Sequence, residues 1–189
     1  MKKIKTLFKK DPNNLGRVVD EIDPENKWVL TKDCLPARKF DGTSMAIINE
    51  KLYKRFDLKP GRNLPEGAIS CQDPDGITGR QPYWVPCIRK DKSNRWAYEA
   101  FEGLCEKVDG TYELCGPKVN GNHEKFIGHV LVPHGRDKLF ISDFSFDGLR
   151  RYLSDSNVDI EGIVFHNMKD GRMCKLRKKD FGVKRHLRH

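Results

Sequence analysis

From Lys27 onward the chain is a succession of short, β-prone apolar runs cut by turn residues, a pattern that restricts it to folds built from hairpins. Trp28-Val29-Leu30-Thr31 is the first run. Ser44-Met45-Ala46-Ile47-Ile48 is the second, and Asn49-Glu50-Lys51 separates it from Leu52–Phe56 as the turn of a hairpin would. Strand-like pieces follow at Thr111–Cys115, Phe126–Val132, Leu139–Ile141, Ile160–His166 and Met173–Leu176. Helical spacing occurs over Ser93–Val108, where Ala97, Ala100, Phe101, Leu104, Cys105 and Val108 share a face between an N-cap at Ser93 and a stop at Gly110. A shorter amphipathic stretch lies around Phe146–Leu153. Elements in this order predict an α+β domain with antiparallel sheets and flanking helices, and they do not alternate as a doubly wound parallel fold requires.

Residues 60–92 hold five of the ten prolines and read as an ordered but irregular excursion. Residues 1–26 are polar and basic, with turn signals at Pro12-Asn13-Asn14 and Asp23-Pro24. The expected division is therefore a basic N-terminal segment (1–26), a main domain (27–183) and a basic tail (184–189).

Hydrophobic residues make up 37% of the 189, and the 16 glycines bring the apolar share to about 45%, the range of a chain that buries a core. That length suits one domain or two small ones and excludes a large multidomain assembly. Thirty-six Lys+Arg against 27 Asp+Glu leave a net charge of +9, which predicts a polyanionic partner without identifying it. The N-terminal MKKIKTLFKKD lacks the apolar centre of a signal peptide, and nothing downstream approaches the apolar run of a membrane span. A cytoplasmic protein with no membrane partner is the expectation. The six cysteines are scattered without a C-x-x-C pair and are expected as free thiols, and the six histidines show no metal-ligand spacing and are read as surface or polar contacts.

Chemistry concentrates in Lys39-Phe40-Asp41-Gly42-Thr43, where a turn enters the run Ser44–Ile48. A neutral lysine amine can attack phosphorus or carbon, and a glycine beside it lets a phosphate approach the backbone. Taken alone, such a string is also an ordinary surface turn. Four further segments follow: Arg55 in Leu52-Tyr-Lys-Arg-Phe56, Glu113 in Thr111-Tyr-Glu-Leu-Cys-Gly-Pro117, Glu161-Gly-Ile-Val-Phe165, and Lys175-Leu-Arg177, at successive spacings of 16, 58, 48 and 14 residues. Singly, Glu113 and Glu161 read as solvated strand-end carboxylates, and Lys175 and Arg177 as charges protecting an edge strand. Their joint order carries the weight.

That ordered set resembles the motifs of the lysine-nucleotidyltransferase superfamily of ATP-dependent ligases and capping enzymes. Ser44 stands where DNA ligases carry an arginine, and only twelve residues follow Arg177, too few for the OB-fold domain of DNA ligases and capping enzymes. The chain is accordingly most similar to small 5′-to-3′ RNA ligases without that domain. Leu114-Cys-Gly-Pro-Lys-Val-Asn-Gly-Asn122 is also similar to their third motif region.

The resemblance implies an adenylyltransferase domain of the ATP-grasp-like ligase kind. It also implies ATP-dependent joining of 5′-phosphate and 3′-hydroxyl RNA ends through a lysyl-AMP intermediate, with Mg²⁺ or Mn²⁺ as cofactor. Lys39 is then the nucleophile, with Lys175 and Arg177 as catalytic cations and Lys175 also touching the nucleotide. Free lysine has a pKa of about 10.4, so an attacking lysine needs positive charge nearby, expected from Arg38, Lys175, Arg177 and the metal. Asp41 and Gly42 are implied in nucleotide binding, and Glu113 in bonding the ribose. Glu161 holds the metal or orients the lysine, and Arg55 contacts the ribose or an RNA-end phosphate. Phe126 is preferred to Phe140 for stacking on adenine, a core phenylalanine being the alternative for it. Lys118, Asn120, Lys178 and Lys179 are implied in RNA contact, together with the basic tail from Lys175 to Arg188. Lys-Leu-Arg departs from the commoner Lys-x-Lys; its arginine can clamp phosphate in a bidentate fork but cannot donate a proton as a lysine can. Two alternatives remain: a GTP-dependent capping guanylyltransferase, and a catalytically decayed RNA-binding protein.

Overall fold

The computed structural model describes residues 4–76 and 78–185. Lys2, Lys3 and Arg188, read above as parts of the basic ends, lie outside the described residues. In chain order the strands are β1 (Lys5–Thr6), β2 (Phe8–Asp11), β3 (Asn14–Ile22), β4 (Cys34–Lys39), β5 (Thr43–Ile48), β6 (Lys51–Leu58), β7 (Ile69–Ser70), β8 (Gln81–Pro86), β9 (Gly110–Cys115), β10 (Val130–Pro133), β11 (Gly162–Asn167) and β12 (Met173–Arg177). The α-helices are α1 (Arg95–Glu102) and α2 (Phe146–Ser154). The architecture is mixed α+β, with sheets of antiparallel strands and few helices. Two compact units divide the chain, Asp41–His134 in one, Ile4–Phe40 with the segment from Gly135 onward in the other.

The unit made of Ile4–Phe40 and the segment from Gly135 onward is built on a four-stranded sheet of order β1-β12-β11-β4, antiparallel except for the β1/β12 pair. Ile163, Phe165, Cys174 and Leu176 alternate onto one face of it and are fully buried with Leu149 and Leu153 of α2. Residues 4–26 are no separate segment. They supply β1 and the β2/β3 hairpin, bury Leu7, Phe8 and Val18 in the same core, and set Phe8 edge-on to Phe146 with ring centroids 5.0 Å apart.

Trp28–Thr31 is not a strand. Pro24–Leu30 forms a 3₁₀-helix in which the Asp23 carboxylate accepts from Glu25 N, Pro24 pre-sets the first turn, and Trp28 and Val29 reach the core. A helix-start signal and burial outweigh the β-propensity of the run. Leu139–Ile141 also fails to form a strand, contributing a Leu139 N–H bond to Pro36 O (2.9 Å) beside an isolated bridge between Ala37 and Lys138.

The Asp41–His134 unit holds a six-stranded sheet of order β10-β9-β5-β6-β8-β7. The β5/β6 hairpin forms as expected, and its two-residue turn places Asn49 and Glu50 at φ +48° and +60°, the left-handed pattern of a type I′ turn. Met45, Ile47, Tyr112 and Leu114 face α1, which packs Ala97, Ala100 and Phe101 against them. Ala46, Tyr53 and Trp84 occupy the opposite face.

α1 is shorter than the apolar spacing predicts. Asp91 Oδ1 takes the Ser93 N–H into a 3₁₀ turn over Lys92–Asn94, and Gly103 ends the helix before Leu104, Cys105 and Val108 can join it. Phe126–Val132 is strand only from Val130, because Asn120, Gly121, Asn122 and Lys125 adopt positive φ and turn the preceding backbone away from a ladder. The proline-rich excursion contributes β7 and β8 to the sheet. All six cysteines are free. Among the described residues no helix is long and apolar enough to cross a membrane.

Glu50 is the strained half of its turn, where glycine is preferred. Glu50→Gly is expected to raise unfolding free energy by about 0.5–1 kcal/mol in a urea titration with an unchanged m-value.

Candidate functional site

Register in the four-stranded sheet brings the basic motif residues together. Gly162 lies opposite Lys39 on β4 and Arg177 on β12, and Val164 lies opposite Ala37 and Lys175. Because side chains alternate, Lys39, Lys175 and Arg177 all stand on the face away from the Ile163–Phe165–Leu176 core. The glycine in the middle of the first row is a steric requirement: a Cβ there would sit 2.3 Å from Leu176 O and 2.7 Å from Arg177 Cα. Glu161, immediately before it, forms an ion pair with Lys39 Nζ, and both side chains keep only about a fifth of their surface exposed (22% and 20%). Nζ also donates to Phe40 O at 3.2 Å.

Arg177 is fixed by a fully buried carboxylate. Asp180 Oδ2 accepts from Arg177 N (2.9 Å) and Nε (3.1 Å), and Oδ1 from Arg177 Nη2 (2.9 Å) and Lys10 Nζ (2.7 Å). Burial pushes the Asp180 carboxyl up, yet the hydrogen bonds from Arg177 and Lys10 outweigh it and hold the group below the usual carboxylate range. Lys175 experiences the opposite balance: burial first, then the charges of Arg177 and Lys39, lower its ammonium from 10.5 to about 8.

Arg38, expected beside Lys39, and Lys178, expected at RNA, are both elsewhere. Arg38 follows the alternation to the opposite side of β4 from Lys39, where Nη2 donates to Asp159 O (3.3 Å) and Cζ lies 5.0 Å from the Phe40 ring centroid. Lys178 is buried, with Nζ donating to Leu153 O at 2.7 Å, so its ammonium is used inside the unit and not at a surface where RNA could meet it. Lys179 is exposed.

The K-x-D-G string crosses from one unit to the other, so Asp41 and Gly42 belong with Glu113. Gly42 N donates to Glu113 Oε1 (3.2 Å), and a Cβ at Gly42 would lie 2.2 Å from Leu114 O, which explains the glycine. Asp41 is held from three directions: its N–H donates to Glu124 Oε1 (2.9 Å), Asn120 Nδ2 donates to Oδ1 (3.1 Å), and His123 Nδ1 lies 2.9 Å from Oδ2. Asn120, expected at RNA, here ties Asp41 to Gly42 O (2.8 Å). Glu113 Oε2 meets His134 Nε2 at 2.9 Å, and His134 Nδ1 meets Thr111 Oγ1 at 2.9 Å.

Ser44 pairs with Glu113 across β5/β9, and its buried hydroxyl has no hydrogen-bond partner. It is a polar atom on Glu113's face that a ligand hydroxyl would satisfy. Arg55 shares that face, its guanidinium 3.2 Å from Asp57 Oδ1 and 5.9 Å from the Trp84 ring centroid. Phe126 is half-buried, its backbone exchanging bonds with the Asn122 side chain, while Phe140 is 97% exposed.

Sequence spacing passed over His123, Glu124 and His134 because none sits in metal-ligand spacing. The usable signal for His134 was the β9/β10 register, which sets Pro133 against Tyr112 and the next residue against Thr111. Among the described residues no cluster of three or more His, Cys, Asp or Glu could hold a metal ion. A single carboxylate such as Glu161 fits a magnesium ion that keeps most of its waters and takes its other ligands from substrate phosphates. Against known protein families and curated proteins, the chain matches no family model and no curated sequence.

Lys175 has a folded pKa below its unfolded one, so the unfolded state binds more protons between about pH 8 and 10.5 and stability rises with pH across that window. Below it the cost of the buried charge is fully present. Lys175→Met is expected to raise stability at pH 7 and to flatten the rise above pH 8, measured by denaturant unfolding at several pH values. Asp180→Asn strands Arg177 and Lys10 beside a neutral group, and a loss of about 3–5 kcal/mol at pH 7 is expected in the same measurement.

Proposed function

We propose that the chain is an ATP-dependent RNA ligase that seals 5′-phosphate and 3′-hydroxyl ends through a lysyl-AMP intermediate. The observation that supports this most is the placement of Lys39, Lys175 and Arg177 on one sheet face with the Glu161 carboxylate against the Lys39 amine. The resemblance described above supplies the direction, and the ordering of its motifs supplies the roles.

In the first step Lys39 Nζ, as the neutral amine, bonds to the α-phosphorus of ATP while the bond to pyrophosphate breaks. Glu161 is the group in contact with Nζ and takes the proton that the amine loses. Lys175 and Arg177 stabilise the negative charge that builds on the phosphoryl oxygens, and Asp180 keeps the Arg177 fork oriented for it. In the second step the 5′-phosphate of RNA displaces Lys39 from the adenylyl phosphorus, and the amine recovers a proton. In the third, the RNA 3′-hydroxyl attacks that 5′-phosphate and AMP leaves. Glu161 is the carboxylate that would hold a divalent ion, which would supply charge neutralisation during the transfer. Glu113, Ser44 and Arg55 are assigned to the ribose and its neighbouring phosphate, and Phe126 to the base.

Incubation with α-labelled ATP and Mg²⁺ is expected to label the protein covalently. Lys39→Ala should abolish the label, and Glu161→Gln should slow it about 10²-fold. An unlabelled wild type across Mg²⁺, Mn²⁺ and pH 6–9 contradicts the proposal, and labelling by GTP in preference to ATP redirects it to a capping-type transferase.

A further inference from the structure

Strand β5 presents two faces within the Asp41–His134 unit. Ser44 and Ala46 look toward the Glu113 side, whereas Thr43, Met45 and Ile47 look toward α1. On the α1 side lies a cavity of about 220 Å³ whose wall includes Thr43, Lys54, Trp96, Leu114, Lys118 and Asn120. None of the motif residues Lys39, Glu113, Glu161, Lys175 and Arg177 lines it.

Its charge is one-sided. Two lysines and no carboxylate line the cavity. Lys54 lies opposite Met45 in the β5/β6 register, half-buried, and its ammonium donates to the neutral amide oxygen of Asn94 at 2.9 Å. Among the described residues neither Lys54 nor Lys118 forms an ion pair with a carboxylate. An amide dipole offsets part of the desolvation of an ammonium but none of its charge. The Asp91 carboxylate, outside the lining, offsets part of the Lys54 charge, and the Asn94 and Asn120 amides are bonded within the protein; two lysines facing one concavity beside a threonine hydroxyl favour an anion with hydrogen-bonding oxygens.

The remaining wall narrows the class. Leu114 and its apolar neighbours make a floor that a bare inorganic ion leaves uncovered, and Trp96 stands beside it. That indole is locked, stacked on His129 with centroids 4.5 Å apart and with Arg95 Cζ 3.9 Å from its own centroid. The volume is below the 300–1,000 Å³ that enclose a drug-sized molecule, so a phosphate and its sugar fit where a whole nucleotide does not.

We propose that this cavity binds a phosphorylated ribose, with Lys54 and Lys118 on the phosphate and the sugar over the apolar floor. The same chemistry comes from a free sugar phosphate or from one residue of an RNA strand. It uses no group assigned to adenylyl transfer, so it stands or falls separately from that reading.

The test is an NMR titration of the full chain, following the Trp96 indole N–H and the Lys118 and Asn120 amides, with ribose 5-phosphate in one arm and a 12-nucleotide single-stranded RNA in the other. Ribose 5-phosphate is expected to shift these signals and to bind at least tenfold more weakly to the Lys54→Met/Lys118→Met double variant. Lys118→Met alone, at an exposed position, serves as the folded control and should show an intermediate loss. Lys39→Ala, which removes a residue outside the cavity, should titrate like wild type. RNA that shifts the same signals, with a log–log salt slope lowered by about 0.7 for each lysine removed, identifies the strand as the source. RNA that leaves them unmoved identifies the free sugar phosphate. Signals unmoved by both probes, a double variant that binds as wild type does, or an equal loss from Lys51→Met outside the cavity would each overturn the proposal.

Discussion

Three cations share one face of a four-stranded sheet, and the surrounding unit is organised to keep them there. Lys39 and Arg177 flank Gly162 in one row of the sheet, about two strand spacings or 10 Å apart, and Lys175 occupies the next row. At an effective dielectric near 20, a pair of like charges at that distance repels by about 1.7 kcal/mol. Two carboxylates oppose the three cations in different ways. Glu161 remains partly exposed against Lys39, whereas Asp180 is fully buried and binds both Arg177 and Lys10. Lys10 belongs to β2, so the N-terminal hairpin is part of the electrostatic scaffold as well as of the core.

An ordinary protective role for Lys175 does not survive the topology. Edge-strand lysines keep a sheet from pairing further and hold their ammonium groups in water. β12 has β11 on one side and β1 on the other, and Lys175 is buried enough for desolvation to be the largest influence on it. A stability-driven sequence would place an apolar residue there. A destabilised cation kept beside two others fits the adenylyl-transfer role proposed for this face.

The sequence made the hairpin of β5 and β6, the α2 helix, and the residues of the basic face legible, because alternation and motif spacing are local properties. It did not reveal the partners of those residues. Asp180 is three positions past Arg177 and looks like any surface acid until the 3₁₀ turn over Lys178–Phe181 folds it inward. Trp28–Thr31 misread as strand because β-propensity was weighed without the Asp23-Pro24 start signal. The length of α1 misread because a run of apolar residues continues past Gly103, where the backbone does not. Sequence adjacency places Arg38 at the nucleotide and Lys178 at RNA; alternation turns the first to the other side of β4, and the interior captures the second.

The same alternation that separates Arg38 from Lys39 lets β5 serve two purposes. Thr43 and Met45 border the cavity beside α1, and Ser44 between them stands next to Glu113. Asn120 joins the two sides, lining the cavity while its amide bonds Asp41 Oδ1 and Gly42 O. A side chain can hold both positions only if its backbone is bent sharply, and Asn120, Gly121 and Asn122 each spend a left-handed conformation to do so. Strain at Asn120 and Asn122, which lack the freedom of the glycine between them, persists only where surrounding contacts enforce it. Here those contacts are the Asp41 and Gly42 bonds, so the geometry of the cavity wall and that of the K-x-D-G turn are fixed by one and the same loop.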